Sequence, residues 1–154
     1  GDKAIFAYGG TGNFTPVSMS NLVTNVGVIG TDVTGVGTDR YYAEAATYGV
    51  DLALVAFGHD GTNKISIKNL ITNQGVIGTD VTGVGTIRHR LAAAGYGTDK
   101  AVYAYGMNAS DNYVSIKNLS KALPNLGKCG TPSLSIKEFI GVANLNHSPV
   151  FCSL

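Results

Sequence analysis

Twelve residues, Gly75-Val-Ile-Gly-Thr-Asp-Val-Thr-Gly-Val-Gly-Thr86, recur without a change at positions 27–38. The flanks repeat with them. Asn-Leu opens at Asn21, Asn69 and Asn118, and Asp2, Asp51 and Asp99 each begin a short apolar run that ends in glycine at Gly9, Gly58 and Gly106. The spacing is 48 to 49 residues. Self-similarity at this period marks a solenoid, propeller or array, because each unit must bury its apolar face against a neighbour. The units run near 1–38, 39–86 and 87–119, and residues 120–154 form a divergent C-terminal repeat or cap, where Ser120-Lys-Ala-Leu-Pro replaces the expected motif.

Within a unit the pattern reads as four short strands. Runs such as Asp51-Leu-Ala-Leu-Val-Ala-Phe-Gly58 are apolar and closed by glycine, as buried strands are. Val17-Ser-Met-Ser-Asn-Leu-Val-Thr24 alternates apolar and polar residues, as a half-buried strand does. Val28 and Ile29 begin a third strand. The alanine-rich run from Tyr41 to Tyr48, matched by His89 to Tyr96, has helical propensity but is short and bounded by turn signals. It reads as a strand of small residues near a crowded axis. Four antiparallel strands per ~50 residues is the blade of a β-propeller. The expected fold is all-β, about three four-stranded antiparallel blades, open or completed by oligomerisation. The loop between the apolar strand and the Asn-Leu strand (Gly10 to Ser20, His59 to Lys68, Met107 to Lys117) shares little sequence among units, so that edge faces solvent and can carry binding.

Composition narrows the function classes. The chain has 154 residues, 14% charged and 44% hydrophobic, with a net charge of +1. Such a balance gives no electrostatic case for nucleic acid or an acidic membrane surface. No apolar run is long enough for a membrane-spanning helix. The first residue falls inside a repeat, which suggests a processed product or part of a longer chain. Cys129 and Cys152 stand outside the well-matched repeats. A disulfide would staple the C-terminal segment there, and two buried free thiols are an equal alternative.

Chemistry-bearing groups are sparse. His59, His89 and His147 have no partner at metal-ligand spacing. His59-Asp60-Gly61 reads as a turn, and Asp32 and Asp80 as turn caps, since one carboxylate per repeat is too few for a calcium site. The glycine-rich motif lacks the Gly-Lys-Ser/Thr ending of a phosphate loop. No nucleophile elbow is present, so the chain is expected to be no enzyme and to need no cofactor or metal. Arg40 and Arg88 recur at one position beside Tyr41, Tyr42 and His89. They could grip a sugar, carboxylate or peptide, with Phe14 and Tyr113 joining from the variable loops. The favoured alternative for the arginines is that they tie one blade to the next. Tyr48 and Tyr96 are expected to pack between blades.

Thr86-Ile-Arg88, Leu91-Ala-Ala-Ala94 and Asp99-Lys-Ala-Val-Tyr-Ala-Tyr-Gly106 together resemble the kelch repeat, with its arginine, small-residue strand and apolar strand ending in Gly-Gly. Gly9-Gly10 supplies that pair once, and the kelch tryptophan has no counterpart here. Residues 1–119, with their Gly-Val-Gly-Thr-x-Arg and Asp-Lys-Ala-Ile-Phe wording, are also similar to tandem-repeat proteins of environmental tailed phages. That resemblance implies a virion structural or fibre protein. The expected function is therefore a structural subunit of an extracellular particle or filament, assembling as a homo-oligomer or with other subunits through sheet edges. A glycan- or protein-binding module for host attachment is the alternative.

Overall fold

The computed structural model describes residues 3–49, 51–83 and 85–122. Residues 123–154, which hold most of the C-terminal cap and both cysteines, lie outside the described residues. Over those described, the protein is all-β. In the first unit, β1 (Ala4–Thr11) and β2 (Thr15–Val23) form an antiparallel hairpin across a single 3-10 turn at Gly12–Phe14. In the second, β3 (Glu44–Tyr48), β4 (Leu52–Ala56) and β5 (Lys68–Ile71) form a three-stranded antiparallel sheet in that order. The third unit opens with β6 (Arg88–His89), followed by β7 (Ala92–Tyr96), β8 (Lys100–Ala104), β9 (Met107–Asn108) and β10 (Lys117–Lys121). There β8 lies between β7 and β10, and β6 pairs with β9.

The register repeats with the sequence. Phe6 faces Asn21, Val55 faces Asn69 and Tyr103 faces Asn118. The alanine-rich runs are strands, as their turn-bounded length requires. Their small side chains allow β3 and β7 to pack together across the unit boundary: a Cβ on Gly95 would lie 2.4 Å from the Thr47 carbonyl oxygen. The expected fourth strand is reduced to isolated bridges, Val23 with Ile29 and Ser20 with Val33, repeated as Ile71 with Ile77 and Lys68 with Val81. Glycines 27, 30, 35 and 37 and their repeats interrupt the ladder, since glycine in a strand weakens pairing.

Two apolar cores lie between units. Val55, Ile71 and Ile77 pack with Ile5, Ala7 and Tyr8 of the first unit. Tyr48, Leu54, Phe57, Leu91, Ala101 and Tyr103 fill a larger core between the second and third. Each apolar strand ends in an aromatic residue in the left-handed region, Tyr8 (φ 62°), Phe57 (φ 63°) and Tyr105 (φ 65°), followed by a glycine also at positive φ. Non-glycine residues rarely adopt this conformation. Its threefold recurrence makes it a designed bend, and it turns the Tyr8 and Phe57 rings toward the next boundary.

Candidate functional site

The recurrent arginines sit at those boundaries. Arg40 is fully buried. Its guanidinium carbon stands 3.8 Å from the Tyr8 ring centroid, in the first unit. Its Nη2 donates to Asn69 Oδ1 at 2.6 Å, in the second unit, and its Nη1 to the Thr38 carbonyl at 3.3 Å. Arg88, also fully buried, repeats the arrangement one unit on: 4.2 Å from the Phe57 centroid, 2.6 Å to Asn118 Oδ1 and 3.2 Å to the Thr86 carbonyl. A planar fork with an aromatic face on one side and a carboxamide at its tip is a geometry that lysine cannot reproduce. Burial lowers the pKa of both guanidinium groups, and the charges of Tyr8 and Asp80 partly restore that of Arg40.

The twelve-residue motif belongs to the same tie. Asn69 Nδ2 donates to the Gly78 carbonyl and to Asp80 Oδ1, both at 2.9 Å. Asp80 Oδ2 in turn accepts from the Thr38 backbone N–H at 2.9 Å and hydroxyl at 2.7 Å. A Cβ on Gly37 would fall 2.1 Å from Asp80 Oδ1, so only glycine lets the end of one motif reach the aspartate of the next. Burial alone would raise the Asp80 carboxyl. The hydrogen bonds from Thr38 and Asn69 and the Arg40 charge more than offset it, and the group lies below the usual carboxylate range. Asp32, the first copy, accepts from Asn21 at 2.8 Å. Among the described residues no group of three or more potential ligands could hold a metal ion.

A second cluster lies where the variable loops gather. Phe14 is exposed in the first loop, with its ring 6.2 Å from Tyr41. Tyr41 stacks on His59 at 5.1 Å and meets the edge of Tyr42 at 4.7 Å. His59 lies 5.5 Å from His89, and Tyr42 packs edge-on to His89 at the same distance. The exposed Arg90 caps the group, 4.4 Å from the Tyr42 centroid and 3.1 Å from its hydroxyl. Lys64 bridges the second and third loops, 2.8 Å from Asp111 and donating to the Ala109 carbonyl at 3.2 Å. His89 is only 6% exposed, and neither ring nitrogen has a hydrogen-bond partner. Burial, then the neighbouring Lys64, Arg90 and His59, lower its pKa, so its imidazole is neutral near pH 7. A neutral imidazole carries one donor and one acceptor.

The structure thus separates the sequence candidates. Tyr42, His89 and Phe14 join one continuous aromatic and imidazole surface. Tyr113 is 85% exposed on the third loop, where it bridges to Met107. Arg40 and Arg88 lie inside, between units. Asp60 holds its own turn, accepting from the Thr62 and Asn63 backbone at 2.8 and 2.6 Å. Tyr48 enters the core, whereas Tyr96 is exposed on the far face of the third unit, where no further described unit covers it. Sequence reasoning missed Asn69, Asn118 and Lys64. The two asparagines carried a signal in their recurrence with Arg40 and Arg88; Lys64, in a loop without a repeat, carried none. No protein-family model and no curated protein matches the chain.

Proposed function

We propose that the chain is a non-enzymatic structural repeat protein of an extracellular particle, a virion or fibre component whose units stack as propeller-type blades and extend through sheet edges to further subunits. The observation that carries this reading is the arginine tie, built twice from residues of adjacent units. It fixes each unit against the next by buried, geometrically specific contacts. The wording of residues 1–119 supports the particle assignment. The mass of the protein in solution tests it: a discrete oligomer or a ladder of sizes is expected, and a monomer at all concentrations up to about a millimolar would refute it.

A second reading has its own observation. The loop-edge cluster offers exposed aromatic faces at Phe14 and Tyr113, a cation at Arg90 and two unpartnered nitrogens on a buried His89. Apolar faces with a few fixed polar groups suit a sugar ring, which has both apolar and hydroxyl faces. The cluster would then serve host attachment through glycans, with the stacked units as its scaffold. Nuclear magnetic resonance titration with a panel of neutral and acidic oligosaccharides tests this. Shifts confined to the loop edge are expected, and none at 10-millimolar sugar, on the order of the weakest useful affinity, would exclude it.

A further inference from the structure

A short row of side chains recurs at the loop edge of the second and third units. In the second, His59 pairs with Tyr41 on one side and Lys64 on the other. In the third, Met107 pairs with His89 on one side and Tyr113 on the other. Residues directly opposite each other in an antiparallel ladder share a face. His89 and Tyr113 are thus two strand spacings apart on one face, about 10 Å at the backbone, room for one sugar ring.

Arg90 stands beside this row. Tyr42 and Arg90 hold one repeat position, and both adopt the left-handed region, at φ 54° and 52°. That conformation persists in non-glycine residues only where the surrounding structure fixes it. Here the Arg90 N–H donates to the Tyr42 carbonyl at 3.3 Å, and the guanidinium lies on the Tyr42 ring. The bend belongs to the repeat, while the side chain it presents changes from a phenol to a cation.

The two cations of the loop edge differ in their partners. Lys64 is engaged by Asp111 and the Ala109 carbonyl. The Arg90 guanidinium is exposed, its hydrogen-bond partner is the neutral Tyr42 hydroxyl, and among the described residues no carboxylate pairs with it. The open Tyr113 ring lies near enough for its phenol to act on the charge of Arg90. Burial keeps His89 neutral, and of the charges around it Lys64, Arg90 and His59 oppose protonation while Asp111 alone favours it. The field over the row is therefore positive.

We infer that Arg90, Tyr113 and His89 form a subsite for a carboxylate-bearing sugar. The carboxylate takes the free N–H groups of Arg90, and the apolar face of the ring lies on Tyr113. As Arg90 leaves the Tyr42 ring, a sugar hydroxyl reaches His89, whose buried nitrogens otherwise have no partner. An arginine fork orients a carboxylate as well as attracting it. The aromatic face and the one donor and one acceptor of a neutral imidazole match a sugar better than an acidic peptide. This subsite rests on the glycan reading of the loop edge and narrows it from sugars in general to acidic ones.

The test is a nuclear magnetic resonance titration of the whole chain with trigalacturonate and with sialyllactose, each against its own methyl ester. One acid is expected to bind with shifts at Arg90, Tyr113 and His89, and its ester about tenfold or more weakly, the value of a charged hydrogen bond. Which acid binds separates a uronate from a sialic-acid source. Arg90→Gln should abolish the preference for acid over ester, and a thermal melt checks that the variant folds. An acid preference that survives Arg90→Gln, or shifts confined to other residues, would overturn the inference. Equal binding of acid and ester would overturn it while leaving the glycan reading standing. No binding by any of the four at about ten millimolar would refute both. A triglutamate peptide that binds as tightly as the sugar acid would assign the subsite to acidic peptides and overturn the inference as well.

Discussion

The junction between the first and second units and the junction between the second and third use the same arginine in different surroundings. At the first, Arg40 stands 3.9 Å from Asp80, and the aspartate accepts two hydrogen bonds from Thr38. The apolar core beside it has three buried side chains, Val55, Ile71 and Ile77. At the second, Arg88 bonds to Asn118 and to the Tyr103 carbonyl, and the adjoining core is larger and aromatic, with Phe57 5.9 Å from Tyr103. Among the described residues, the repeat keeps its geometry while the arginine's neighbours change from an ion-paired aspartate to a larger aromatic core. The first junction should respond to pH, and the second to lost volume.

Four predictions sharpen or break that contrast. The largest effect is expected for Tyr103→Ala. It empties a fully buried ring site and removes the hydroxyl that donates to the Leu54 carbonyl. Aromatic-to-alanine changes in a core cost about 3–5 kcal/mol, and urea denaturation should show a loss of that size, independent of pH between 5 and 8. A loss below about 1 kcal/mol would mean that the second junction is not the stability centre of the stack.

Next comes Arg40. Arg40→Ala leaves Asn69 and Asp80 without their cation in a closed setting, and breaking a buried charged pair costs about 3–5 kcal/mol. The lower figure applies here, because Asp80 keeps partial solvent contact and its Thr38 partners. Arg40→Lys should recover little of the loss, since an ammonium cannot both face Tyr8 and reach Asn69. Full recovery by lysine in a denaturation experiment would show that charge alone matters and that the planar tie is incidental.

The strands of the fold were legible because periodicity, glycine stops and repetition all point the same way at positions such as 51–58 and 99–106. The alanine-rich strands were legible only against propensity, and what decides them, the approach of Gly95 to Thr47, is a contact between units that no local pattern encodes. The expected Val-Ile strand was overstated, since Val28 and Ile29 are strand-forming residues but their glycine neighbours reduce it to bridges. Of the site, Tyr42 and His89 could be picked out because they sit at repeated positions beside a repeated arginine. The favoured expectation set Arg40 between units, but its partners Tyr8 and Asn69 could not be read, because they come from elsewhere in the chain. The meeting of Phe14 and His59 with Tyr41 and His89 was hidden for a similar reason: the loops that carry Phe14 and His59 do not repeat.

Asp80 gives the third prediction and carries the pH contrast. Its pKa in the folded protein lies below the usual carboxylate range, so its contribution is fully present above the unfolded-state value, about 3.9. It is lost as pH falls through that value toward the folded one. Asp80→Asn should cost about 1–2 kcal/mol at pH 7, and the gap between variant and parent should close in acid below about pH 4. The matched Asp32→Asn, which has no described Thr donor from a preceding unit, should cost less at pH 7. Equal costs for the two would show that the Thr38 contact does not distinguish the inner junction from the open face.

The smallest effect tests whether one junction can be turned into the other. Tyr8 and Phe57 hold the same place beneath their arginines, and they differ by one hydroxyl, which in Tyr8 donates to the exposed Val36 carbonyl at 2.9 Å. Tyr8→Phe keeps the ring, the left-handed bend and the face presented to Arg40, while giving the first junction the aromatic residue of the second. A solvent-accessible hydrogen bond contributes about 0.5–1 kcal/mol, because water replaces the lost partner, so the variant should lose no more than that. Its acid limb should be unchanged, since Asp80 and Thr38 are untouched. A larger loss, or a shift of the acid limb, would mean that the hydroxyl holds Val36, and with it residues 36–38, in the position from which Thr38 reaches Asp80. The polar character of the first junction would then begin at Tyr8 and not at the aspartate.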